Sequence, residues 1–373
     1  MINGPINIMR MEGVVNNIKK VIYLFFDRHL SINDQKGCLT IPNKNIKNYL
    51  IEEFYRLSNN NKLTTYDLFI ETDYNILYQN YSNINDMYAP ITSKYISELS
   101  KAFFKLVKYD KSKNKMSANE FLSRIRIHHF DERPGYLYDI INLTYELADI
   151  PVFKSTIISD ITKMTTIYKK ILDRYILFLS EYFNTSDKPA ELPTHLPRLM
   201  YKLNNTYNHE NIKQYISLCI KEEIKIAQKI IMVLNSTINI YENYITEFNN
   251  ATSEKNDEDF DFLLNSFTKL LNDNEPMLFT TSASDIFLLR RFLDKDYITN
   301  AIVYSGSAHS INIAKHLSDF DFKITHVSNS LLSISQLNDI LKSNMDIYTI
   351  DKIFNPHYID QCSSLKTFPK DFK

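Results

Sequence analysis

Hydrophobic positions along the chain fall into two alternating rhythms. KKVIYLFF, about residues 19–26, is a continuous run of branched and aromatic residues, short enough for a buried strand. NKNIKNYLIEEFYRLS then places Ile46, Tyr49, Leu50, Phe54 and Leu57 at helical spacing. YDLFIE (about 66–71) repeats the strand pattern, ISELSKAFFKLVK (about 96–108) the amphipathic helix, RIRIHHF (about 124–130) a third strand and YLYDIINLTYELAD a third helix. Strands alternating with helices predict a parallel sheet with helices packed on its faces.

The rhythm changes in the middle. STIISDITKMTTIYKKILDRYILFLSEYF and NIKQYISLCIKEEIKIAQKIIMVLNSTINIYENYITEF are both long helical patterns, and the three prolines of NTSDKPAELPTHLPR between them force a loop. A helical hairpin or small bundle over residues 151–250 is expected, followed by a polar connector, NNATSEKNDEDFD. The first rhythm then returns: DFLLNSFTKLLND and ASDIFLLRRFLDK read as helices, ITNAIVYSG as a strand, HSINIAKHLSD as a helix and DFKITHVSN as a last strand. The fold class is therefore α/β: a mostly parallel sheet flanked by helices, carrying a large all-helical insertion. Residues 1–150 and 251–335 form the two parts of the α/β domain, and 336–373, with Pro356, Pro369 and scattered aromatics, read as a tail on the surface or on a partner.

Composition narrows the function classes. Forty-three basic against 44 acidic residues, a net charge of -1, argue against the basic face that nucleic acid demands. Cys38, Cys219 and Cys362 are far apart and in no metal-ligand spacing, and are expected to be reduced intracellular thiols. No segment is apolar enough to span a membrane or to act as a standard export signal, so an intracellular, non-secreted protein is expected. Abundant Ile, Asn, Lys and Tyr with no Trp and 5 Gly are what coding bias in an AT-rich genome produces, as in large DNA viruses or some protists and bacteria; for a viral protein, host cytoplasm or virion is the expected location. No GxGxxG or GxxxxGK[ST] occurs, so no nucleotide cofactor is expected.

Strand C-termini in an open parallel sheet point to one edge, where ligands bind. The first strand ends in FFDRHLS (Asp27, Arg28, His29), the second in FIETD (Glu71, Asp73), the third in HHFDERPG (His128, His129, Asp131, Glu132, Arg133) and the late one in YSGSAHS (Ser305, Ser307, His309, Ser310). Two imidazoles with carboxylates can hold a divalent metal whose bound water becomes a nucleophile, or a carboxylate-polarised histidine can take a proton unaided. Candidate catalytic residues are therefore His29, Glu71, Asp131, Arg133 and His309, with His29, Glu71 and His309 also the candidate ligands of a divalent ion. Each has a structural alternative: Asp27 and His29 can start a turn, Asp131 and Arg133 can close one, one of His128 and His129 can be filler, and the helix after Gly306 can be capped by Ser307 and Ser310. Ser307 matches a nucleophile elbow poorly, because no second glycine follows it at the required place.

In their order, these motifs resemble the superfamily of erythromycin esterase, ChaN and TIKI/TraB proteins. Gly306-Ser307-Ala308-His309 resembles its late GxxH, DLFIE its second-strand glutamate at Glu71, FDERP its Asp-x-Arg at Asp131 and Arg133, and FFDRH its first motif through His29. Phe26 stands where the family has Gly, and Asp27 where many members have Glu. The resemblance implies a hydrolase of an ester or amide bond acting on a small molecule or peptide. The alternative it leaves is an inactive binding or virion-associated protein of the same fold, whose helical insertion meets a protein partner.

Overall fold

The structure, a computed structural model, describes residues 1–30, 32, 38, 43–59, 64–73, 94–105, 107–110, 115–118, 123–131, 135–148, 150, 158–183, 201, 203, 205–250, 275–355 and 361–373. The chain divides into two compact units, Met1–Glu132 with Phe287–Lys373, and Arg133–Ile286.

In the first unit the elements run β1 (Ile2–Asn3), β2 (Asn7–Val15), β3 (Ile18–Asp27), β4 (Lys44–Asn45), α1 (Ile46–Asn59), β5 (Tyr66–Asp73), α2 (Tyr95–Lys105), β6 (Val107–Asp110), β7 (Lys115–Ala118) and β8 (Ile125–Asp131). The second unit holds α3 (Gly135–Ala148), α4 (Ile158–Phe183), α5 (Glu210–Asn250) and the first part of α6 (Glu275–Asp294). The first unit resumes with the rest of α6, then β9 (Asn300–Gly306), α7 (Ser307–Ser318), β10 (Lys323–Val327), α8 (Ile334–Leu341), α9 (Ile347–Phe354) and β11 (Cys362–Ser363).

The main sheet has six strands in the order β10-β2-β3-β9-β5-β8. The pairings β3–β9, β9–β5 and β5–β8 are parallel, as the strand-helix alternation predicts, but β10–β2 and β2–β3 are antiparallel. The sheet is thus mixed, and the chain is a mixed α/β protein. The antiparallel part arises from NIMRMEGVV, which forms β2 and turns into β3 through Asn16 and Asn17, both at positive φ (50° and 64°). Two left-handed residues in a two-residue turn match the right-handed twist of the flanking strands, and asparagine tolerates that conformation better than most residues.

Both faces of β3 are covered, which is why its sequence is a continuous apolar run and not an alternation. Val21, Tyr23 and Phe25 share a core with Leu50, Phe54 and Leu57 of α1 and Leu99 and Phe103 of α2, while Ile22, Leu24 and Phe26 are also fully buried. In the second unit α4 packs along α5, with Tyr168 and Tyr241 ring centroids 5.6 Å apart and Ile216, Ala227 and Leu234 turned into the core. The proline-rich loop and DFLLNSFTKLLND lie outside the described residues, as do residues 251–261 of the polar connector.

Residues 336–373, read from the sequence as a tail, build much of one end of the first unit. Leu337, Leu341, Ile350 and Phe354 are buried, and Phe372 stands edge-on to Tyr23 at 5.2 Å. Asn7 Nδ2 donates to the Phe354 carbonyl at 2.6 Å, and Tyr66 OH to the Asp371 carbonyl at 2.6 Å. The expectation of reduced cysteines is corrected in the same region: Cys38 and Cys362 form a disulfide, their Cα atoms 5.0 Å apart across 324 residues of sequence. Both sit on Asn3, Cys362 as its strand partner and Cys38 by donating its backbone N–H to Asn3 Oδ1 at 2.7 Å. Distance along the sequence says nothing about this proximity, which only the pairing of β1 with β11 creates.

Candidate active site

Parallel pairing sets the C-terminal ends of β3, β9, β5 and β8 on one edge. Asp27 lies opposite Gly306, Ile70 opposite Tyr304, and Asp73 opposite Asp131 after a register shift. At this edge one carboxylate joins two imidazoles. Glu71 Oε2 lies 3.3 Å from His29 Nε2, and Glu71 Oε1 lies 3.1 Å from His309 Nε2. His29 Nδ1 meets Asp27 Oδ2 at 2.9 Å, so the groups form a row: Asp27, His29, Glu71, His309.

Local structure fixes each member. His29 follows β3 in the left-handed region (φ 54°), which turns its ring back over the strand ends. Gly306 ends β9 and caps α7; its backbone N–H donates to Glu71 Oε2 at 2.6 Å, so the carboxylate sits at a helix N-terminus, where negative charge is favoured. A Cβ on Gly306 would lie 2.7 Å from His29 Nε2 and 3.3 Å from Glu71 Oε2, so only glycine leaves room for the imidazole. His309, in the first turn of α7, is buried with its ring edge-on to Phe130 at 5.9 Å. The His29 side chain keeps 35% of its surface exposed against 7% for Glu71 and 3% for His309, so a ligand meets His29 first.

Electrostatics follows from the row. Burial opposes charge on His29, but the Glu71 carboxylate, aided by Asp27, holds its imidazole protonated up to about 10. Burial likewise opposes charge on Glu71, and the imidazoles of His309 and His29 outweigh it, keeping that carboxyl well below the usual carboxylate range. The two serines that the sequence offers as caps do other work: Ser307 Oγ donates to Asp351 Oδ1, and Ser310 shares a hydrogen bond with Ser305 at 2.9 Å, while no side chain caps α7. Among the described residues no group of three or more His, Cys, Asp or Glu is arranged to hold a metal ion, and the three candidate ligands face one another.

Of the sequence candidates, His29, Glu71 and His309 meet. Asp131 ends β8 at the same edge, though its side chain, like that of Asp73, lies outside the described residues; Glu132 and Arg133 lie outside them altogether. His128 belongs elsewhere: its Nε2 meets Asp67 Oδ1 at 2.7 Å, near the opposite end of β5. Sequence reasoning missed Asp351 and Asn355, which α9 brings to the rim beside Ser307 and Arg28. No local signal marks them, since one acid in an amphipathic helix resembles any solvated position.

Fold and site together define a mixed α/β protein with a histidine–glutamate–histidine group at the C-terminal edge of its parallel strands. The chain belongs to the family of unknown function DUF5847, whose model matches residues 1–373. It is similar to the uncharacterized proteins R706 and R161 of Acanthamoeba polyphaga mimivirus, each 30% identical over 100% of this chain and 97% and 98% of their own lengths. The uncharacterized protein R129 of the same virus is 36% identical over 35% of this chain. No solved structure matches the chain.

Proposed function

We propose that the protein is a hydrolase that cleaves an ester or amide bond with water, using His29, Glu71 and His309. The observation that carries this is Glu71 bridging two imidazoles at the ligand-binding edge of the sheet. His29, protonated between two carboxylates, is the group that donates to the substrate carbonyl oxygen or the leaving group. Glu71 takes the proton of the attacking water, and His309 and His29 hold its carboxylate ionised and in place until then. Asp27 fixes the orientation of the His29 ring, as a carboxylate on the second nitrogen does in other histidine-based sites. The order of the motifs, resembling the erythromycin esterase, ChaN and TIKI/TraB superfamily, supports the same chemistry. A divalent ion held by His29, Glu71 and His309 would supply a bound water as the nucleophile at the same place, so the reaction is proposed with or without such an ion.

A second reading, an inactive binding or virion-associated protein, is favoured by one observation: the fully buried Phe26 occupies the place of the family glycine in the first motif. Among the described residues no helix is long and apolar enough to cross a membrane. The mimivirus relatives support a viral setting, and the Cys38–Cys362 bond favours the virion over the reducing host cytosol.

The test is a panel of nitrophenyl esters and amino-acid anilides, with and without added divalent ions, on wild type, Glu71→Gln and His309→Ala. The proposal expects turnover that falls about 100-fold or more in both variants. Turnover equal in all three proteins, or none on any substrate, contradicts it.

A further inference from the structure

The rim carries a carboxylate that the proposed chemistry leaves unused. Asp351 of α9 is buried; its Oδ1 accepts from the Ser307 hydroxyl and from Asn355 Nδ2 at 2.8 Å, and its Oδ2 lies 2.9 Å from Arg28 Nη2. Asn355 Nδ2 also donates to Ser307 Oγ at 2.8 Å. Gly306 and Ser307, neighbours in the chain, thus each give a donor to a different carboxylate, Gly306 to Glu71 and Ser307 to Asp351.

Arg28 sits in the chain between Asp27 and His29, whose ring contacts Asp27 and Glu71, so the three carboxylates belong to one rim. A guanidinium offers a planar fork of donors that matches a carboxylate, and it is always charged, so it is a stronger partner than an imidazole. Left to choose, Arg28 competes with His29 and His309 for Asp27 and Glu71. We propose that Asp351 is a positioning residue that captures Arg28 and so reserves Asp27 and Glu71 for the two imidazoles. The built character of the Asp351 site supports this: the carboxylate is held by Ser307 and Asn355 from one side and offers its remaining oxygen to Arg28. The cost of burying a carboxylate there is offset by two donors, the Ser307 hydroxyl and the Asn355 amide, and by the charge of Arg28. A solvated ion pair at the rim would need no such frame.

The inference rests on His29, Glu71 and His309 being the working group. Its test needs no substrate, so the two can fail separately. In the side-chain 1H–15N spectrum of the full chain near neutral pH, His29 is expected to show both ring N–H signals, one shared with Asp27 and one with Glu71. Asp351→Asn keeps the size of the side chain and removes its charge, and is expected to lose the Nε2–H signal as Arg28 turns to Glu71. The double variant Arg28→Gln with Asp351→Asn is expected to recover it, which a merely structural role of Asp351 does not allow. Arg28→Gln alone is expected to keep both signals, because the competitor is gone. An unchanged spectrum in Asp351→Asn, a double variant as disturbed as the single, or loss of the Nε2–H signal in Arg28→Gln each overturns the proposal. Loss of the Nε2–H signal in Arg28→Gln overturns it even if Asp351→Asn does not fold. A silent substrate panel leaves these spectra standing, whereas an active panel with an unchanged Asp351→Asn spectrum removes only the positioning role.

Discussion

Strand β5 carries an acid near each end, and each acid meets a histidine, yet the two clusters are opposites. Asp67, fully buried, takes two hydrogen bonds from Arg126 at 2.7 and 2.6 Å and one contact from His128 at 2.7 Å. Burial, with Arg291 and Arg126 adding to it, pushes the His128 imidazole down to about 4, so the ring is neutral. Four residues on, about 13 Å along an extended strand, Glu71 meets two imidazoles, and His29 stays charged up to about 10. At Asp67 a guanidinium takes up both carboxylate oxygens and burial keeps the neighbouring histidine neutral; at Glu71 a carboxylate shared by two histidines and a backbone N–H holds His29 protonated. The two clusters therefore differ in where the nearest guanidinium goes, and at the rim that of Arg28 goes to Asp351.

The contrast can be broken most forcefully at the two acids. Glu71→Gln is expected to remove hydrolysis by about 100-fold or more with little loss of fold, while Asp67→Asn is expected to lower stability by about 1–3 kcal/mol, through the unsatisfied Arg126 and His128, and to leave turnover in place. Turnover assays paired with urea denaturation separate the two. Removing the disulfide through Cys38→Ser with Cys362→Ser is expected to cost about 2–4 kcal/mol. That loss falls on the segments that carry the rim, so exchange protection is expected to drop around His29 and Asp351 before it drops around Asp67. A smaller, local change is Gly306→Ala: its new Cβ displaces the His29 ring and is expected to reduce turnover while thermal unfolding shifts little, as melting curves beside the assay will show.

The pH dependence sharpens the comparison with the smallest effects. The raised value of His29 adds stability that is complete below about 6.5 and is lost as pH rises through about 10. The lowered value of His128 has the opposite sign, adding stability that is complete above about 6.5 and lost as pH falls toward about 4. His29→Gln is therefore expected to flatten the alkaline limb of a stability-versus-pH curve, and His128→Gln the acid limb.

Much of this arrangement was legible in the sequence. The runs that became β3, β5, β8 and β9 are dense enough in apolar residues to stand out, and polar residues just past them, His29, Glu71 and His309, mark the rim because strands buried on both faces leave few other places for charge. The β2 strand was missed because Asn7 and Arg10 are buried within it, breaking any alternation, and because its turn is Asn16–Asn17, without a glycine. His128 read as part of the rim, but its partner Asp67 lies at the start of β5, and facing register is invisible before strands are paired. Asp351, Asn355 and the Cys38–Cys362 bond depend on a C-terminal segment folding back across more than 300 residues, which no local pattern encodes.

The most direct test of the central claim is the protonation of two histidines in one sample, read from the ring nitrogen shifts of 15N-labelled protein near pH 7.5. The account predicts an imidazolium at His29 and a neutral ring at His128. A neutral His29, or the same state at both positions, would contradict it.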